Sequence, residues 1–114
     1  MAASQPPELF AGRPQAAAVY QAILGAAEAN GPVRVETKSA SIHLCRRSAF
    51  AGVHPRRTGV LLNVRSAAPI ESPRIRKREQ VSANRWHNEL LVESADSVDG
   101  ELKAWLAEAA RLAD

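Results

Sequence analysis

A chain of 114 residues, 46% hydrophobic and 24% charged, has room for one compact domain burying roughly 65% of its unfolded surface, and this composition excludes wholesale disorder. One cysteine, Cys45, and three separated histidines exclude an internal disulfide and offer no zinc-ligand spacing; no metal or cofactor is expected, and a reducing, cytoplasmic setting is. The net charge of +3 divides unevenly, for residues 33 to 87 hold twelve Lys or Arg against three acids while residues 88 to 114 hold two against seven, so the basic middle either pairs with the acidic end or faces an anionic partner.

The opening "MAASQPPELFAGRP" has neither the charged start nor the apolar run of a secretory signal. Residues 1–12 read as a flexible lead to a single domain over 13–114. Pro14 suits a first helical turn, and Val19, Tyr20, Ile23, Leu24 and Ala27 follow at helical spacing until Gly31 and Pro32 stop the helix. "AAAVYQAILGAAEA" is too short and too interrupted to span a bilayer, so no membrane partner is expected.

The period then changes from helical to alternating. "VRVETKS", "SIHLCRR", "AFAGVH", "GVLLNVRS" and "WHNELLVES" read as five strands, and "HPRRTG" reads as a turn in which Pro55 presets φ and Gly59 takes a positive one. From Ala67 to Arg85 no period survives, and this basic, proline-bearing stretch reads as a long loop. The chain closes on an amphipathic helix with Asp96 or Ser97 as cap and Val98, Leu102, Trp105, Leu106, Ala109 and Leu112 as its apolar stripe.

The fold class is α+β: an antiparallel meander of about five strands with both helices on one face. Val35, Ile42, Leu44, Phe50, Leu62, Val64, Leu90 and Val92 are expected under the helices. The opposite face would show His43, Cys45, Ala51, Val53, Leu61 and Leu91, too apolar a set for plain solvent. Of these His43, Cys45, Val53, Leu61 and Leu91 are the candidate contacts for a protein partner or a homodimer mate.

Three blocks, "VRVETKSASI", "FAGVHPRRTGVLLNV" and "SVDGELKAWLAEA", resemble in order the blocks of the family called domain of unknown function 5655, over roughly residues 9 to 112. The resemblance implies the fold and carries over no catalytic residues. Family members sometimes stand beside a nuclease-like domain, which turns the partner expectation towards nucleic acid.

The candidate anion or nucleic-acid contacts are Arg56 and Arg57 at the turn, with Arg74, Arg76, Lys77, Arg78 and Arg85 in the long stretch. With few aromatics, most at core-like positions, the chain offers no platform for stacking bases. Solvated or internally paired charge is the competing reading. A Cys45 and His43 pair, with His54 near, would make a thiolate nucleophile, but no acid is placed by sequence to orient an imidazole, and no catalytic residue is assigned. The expectation is a non-enzymatic binding module, with self-association through the second sheet face and a small Cys/His enzyme as alternatives.

Overall fold

The computed structural model describes residues 8–114. Helix α1 spans Pro14–Glu28, six strands follow as β1 (Arg34–Thr37), β2 (Ile42–Cys45), β3 (Ala49–Pro55), β4 (Val60–Ser66), β5 (Lys77–Ser82) and β6 (Arg85–Val92), and α2 spans Gly100–Leu112. All neighbours pair antiparallel in the order β1-β2-β3-β4-β6-β5. The first four strands form the expected meander. The chain then passes β6's place, enters the sheet at its far edge as β5, and returns as a hairpin into β6.

The stretch read as one loop over 67–85 therefore holds a sixth strand. All of β5 is exposed, so it lacks the one-sided apolar alternation that betrays a half-buried strand. Its charged sequence suits an edge, where open backbone groups otherwise invite pairing with another chain. The first part of the lead, residues 1–7, lies outside the described residues. Residues 8–10 form a short 3-10 turn, and Phe10 is buried with its ring stacked on Tyr20 at 4.9 Å.

Both helices cover one face. Val19, Tyr20 and Ile23 of α1 and Leu102, Leu106 and Ala109 of α2 are buried with Ile42, Leu44, Val53, Leu62, Val64 and Leu90 of the sheet. Each of the larger aliphatic side chains among them is worth roughly 1.5–3 kcal/mol of burial. The helix α2 cap is Asp99, whose carboxylate accepts from the Leu102 amide at 3.1 Å. Asp96 and Ser97 instead lie in a preceding 3-10 turn.

Val53 and Ala51 do not face outward as expected. Between β2 and β3 the register shifts: Leu44 pairs with Ala51 while Cys45 pairs with Ala49, so Phe50 is an extra residue without a partner. Such a bulge reverses the alternation on one side of it. Phe50, Ala51 and Val53 are all buried in the core as a result.

Gly59 is required for a different reason from the one expected. Positive φ occurs only at Gly12 and Gly31 among the described residues. At Gly59 a Cβ would lie 2.2 Å from the Val92 carbonyl oxygen, so the end of β6 crosses where a side chain would be. The Arg56 amide closes this hairpin on the Gly59 carbonyl at 2.8 Å.

Candidate anion site on the open sheet face

Helices leave the second face of the sheet uncovered. Side chains on it follow from the pairing register, in which Glu36, His43, Gly52, Asn63, Glu89 and Lys77 run as one row across the strands. Gly52 has no side chain, and the row dips there. The dip is a cavity of about 200 Å³, open to solvent, lined by His43, His54, Asn63, Arg65, Arg85 and His87 together with the backbone and small side chains of residues 49–52.

All three histidines of the chain thus meet at one place although they are far apart in sequence. The point where a Gly52 Cβ would sit is 3.8 Å from His43 Cδ2 and 3.9 Å from His54 Nε2. On the next row Arg65 pairs with His87 in register. Arg85 donates from Nε to His87 Nε2 at 3.4 Å and from a terminal nitrogen to the Ala49 carbonyl at 3.4 Å.

The electrostatics of the cavity favour an incoming negative charge. Arg65 donates to Ser48 Oγ at 3.1 Å, but its buried Nε has no partner. Burial and then the neighbouring Arg85 work against the Arg65 charge. His54 sits below the ordinary imidazole range because it is desolvated and faces Arg56 and His43, with Glu89 opposing. His87 is lowered by desolvation and by Arg85 and Arg65, with Glu79 opposing. Burial and crowded positive charge hold both imidazoles back from protonation.

Four other arginines are paired with acids. Arg34 binds Glu36, Arg46 binds Asp114, Arg74 binds Asp99 and Glu101, and Arg111 binds Glu108. Arg65 and Arg85, both half-buried, have no ion pair among the described residues. An uncompensated, partly desolvated cation costs free energy unless an anion arrives.

The expected basic cluster is dispersed by the fold. Arg74 is a structural clamp: it reaches Asp99 at 3.0 Å, Glu101 at 3.1 Å and the Ser97 carbonyl at 2.9 Å, and lies 5.5 Å from the Trp105 ring centre. Arg78 folds back onto the Ile70 and Ser72 carbonyls. The charge asymmetry of the chain is therefore partly internal, since Arg74 and Arg46 take acids from the C-terminal segment.

Arg56, Arg57, Arg76 and Lys77 remain exposed. Arg56 and Arg57 lie at one end of the sheet, where Val60 pairs with Val92, whereas Arg76 and Lys77 lie beside Glu89, in the same row as Gly52. Arg85 lies at the other end of β6, about 23 Å from Val92 and about 13 Å from Glu89 at strand rise. The seven residues do not make one strip.

The partner-face candidates also separate. Leu61 and Leu91 pair across β4 and β6 on the open face, Leu91 being exposed, and His43 joins the cavity. Val53 is fully buried in the core, and Cys45 is buried in the sheet. Burial, with Glu36 adding to it, pushes the Cys45 thiol up, away from the thiolate that nucleophilic chemistry requires. Among the described residues no group of three His, Cys, Asp or Glu is placed to hold a metal ion, and no helix is long and apolar enough to cross a membrane.

The chain belongs to the family described as Domain of unknown function (DUF5655), whose pattern matches residues 7–113. No curated protein and no solved structure matches it.

Proposed function

We propose that this domain is a non-enzymatic binding module for an anionic partner, nucleic acid foremost, which it holds on the open face of its sheet. The observation that carries this reading is the contrast among the arginines: Arg34, Arg46, Arg74 and Arg111 have acids, while the half-buried Arg65 and Arg85 line a cavity without one. The exposed Arg56, Arg57, Arg76 and Lys77, which do not line the cavity, would add long-range attraction rather than the specific contact.

Retention of labelled single-stranded and duplex DNA and RNA across a salt series tests the proposal. Binding should weaken with salt, and Arg65→Gln with Arg85→Gln should flatten the slope by about one phosphate per arginine removed. Arg74→Gln should leave that slope alone. Retention that survives the double substitution, or no binding at low salt, removes the open face from the account.

A second reading, self-association through the same face, is favoured by the exposed Leu91 lying in register with Leu61. Light scattering of Leu61→Asp decides it, because a dimer through this face would fall to a monomer.

A further inference from the structure

The shape and charge of the cavity around Gly52 say which kind of anion fits. At about 200 Å³ it is smaller than the roughly 300–1,000 Å³ of sites that enclose whole cofactors or drug-sized ligands. It accepts a group, not a molecule. A groove that tracks a phosphodiester backbone needs cations repeated along its length. Here the row through Gly52 meets Glu36 beside His43 on one side and Glu89 beside Asn63 on the other, and Glu79 stands beside His87. Along the strands, the cavity gives way beyond His54 to the Leu61 and Leu91 pair. Glu36 is ion-paired with Arg34 and Lys38, and Lys77 follows Glu89, so the arginines without an acid are concentrated in the cavity rather than repeated along a groove, which suits a compact anion.

Donor geometry adds to this. Gly52 removes the side chain that would fill the floor, and His43, His54 and Asn63 stand around the vacated point. Arg65 contributes a buried Nε that no group among the described residues satisfies. His87 accepts from Arg85 through Nε2, so protonation of that nitrogen would turn it into a donor and release Arg85 Nε as a second one. An arriving dianion would be met by more donors than the empty site displays.

We propose that the cavity formed by Gly52, His43, His54, Arg65, Arg85 and His87 binds a terminal phosphate monoester, carried either on a small phosphorylated molecule or on the end of a nucleic-acid strand. This rests on the open face being an anion site, and it names the group bound there. A monoester has three terminal oxygens and about two negative charges at neutral pH, against one charge on a backbone diester.

The test is calorimetric titration of the intact chain with a short DNA oligonucleotide bearing a 5′-phosphate, with its 5′-hydroxyl twin, and with inorganic phosphate. The phosphorylated strand should bind about tenfold or more tightly than its twin, as charge-assisted hydrogen bonds to one group predict, and inorganic phosphate should compete with it. Competition alone, without help from the strand's remaining length, would identify a small phosphorylated molecule as the source. Gly52→Ala puts a Cβ on the floor at ordinary contact distance, 3.8–3.9 Å from its neighbours, and Gly52→Val fills it further; the preference should weaken with the first and be lost with the second while the circular dichroism spectrum is kept.

Equal binding of the two strands, or a preference that survives Gly52→Val, overturns the monoester site. Equal binding that still depends on Arg65 and Arg85 leaves the broader anion reading standing. No binding of either strand or of phosphate ends both.

Discussion

The two faces of the sheet treat a buried polar group in opposite ways. Under the helices, Asn88 is fully buried in β6, and every polar atom of its side chain is used: the amide nitrogen donates to the Val64 carbonyl at 2.9 Å and to Ser66 Oγ at 2.8 Å, and Oδ1 accepts from the Ile70 amide at 3.1 Å. On the open face, Arg65 keeps a buried nitrogen without a partner. The first arrangement completes the fold, because it pins the crossover between β4 and β5 to the middle of β6. The second leaves a demand that an anion from outside can meet: Arg46 also has a buried Nε without a partner but is ion-paired with Asp114, whereas Arg65 has no acid among the described residues.

Breaking the satisfied side should give the largest effect. Asn88→Ala leaves the Ile70 amide and the Ser66 hydroxyl without their buried partner, and should cost about 3 kcal/mol. Urea denaturation measures it directly. Because the pinned crossover leads into β5, hydrogen exchange in β5 and residues 67–76 should rise before that in β2 and β3. Anion binding should survive wherever the variant stays folded. A stability change under 1 kcal/mol, by roughly the scale of surface substitutions, would mean that the crossover holds without Asn88.

The comparison sharpens between the two kinds of arginine. Arg74→Gln removes two ion pairs, a carbonyl contact and a ring contact that tie the crossover to the start of α2. The Arg74 side chain is 26% exposed and its acids about half exposed, so solvent screening limits the loss to about 1 kcal/mol. Thermal unfolding should show that loss with anion binding intact, the reverse of the pattern expected for Arg65 and Arg85. If Arg74→Gln weakened binding as much as Arg85→Gln, basic charge in general, rather than the cavity, would be the determinant.

Sequence patterning made most of this fold legible and little of its site. The alternation in "SIHLC" and "GVLLNV" locates β2 and β4 because each has one face in the core, while "VRVETKS" alternates too although β1 is an edge strand without a buried residue and Val35, expected under the helices, is exposed. "KREQVS" hides β5, since an edge strand exposed on both sides has no reason to alternate. Val53 is misplaced by the extra residue at Phe50, although Gly52, a strand glycine, is the sort of signal that accompanies bulges and dips. Arg56, Arg57 and Arg76 look like members of one cluster with Arg85 only while the length of β6 between them is unknown. The cavity depends on which strands are neighbours. His43, His54 and His87 stand on β2, β3 and β6, and only the order β2-β3-β4-β6 with its register sets them around Gly52.

The smallest expected effect tests whether the open face is poised for negative charge. His54 and His87 both titrate below the ordinary imidazole value of 6.5 in the fold, chiefly through desolvation and then through neighbouring positive charge. Their unfolded forms take up protons first as pH falls, so the folded state loses stability on descending through about 6.5 and loses no more below the folded pKa values. The lowered carboxyls, Glu36, Asp99 and Glu108, start from 4.5, 3.8 and 4.5 and act at lower pH, while Cys45, raised from 9.0, acts above. Melting temperature between about pH 8 and about pH 5.5 therefore isolates the imidazoles. It should fall in acid for the wild type and fall less for His54→Gln with His87→Gln. Adding sulfate, which stays a dianion across this range, should restore more stability at the acid end than at the alkaline end, because an anion in the cavity favours the protonated rings. Equal restoration at both ends would detach the histidines from the anion, leaving Arg65 and Arg85 to hold it alone.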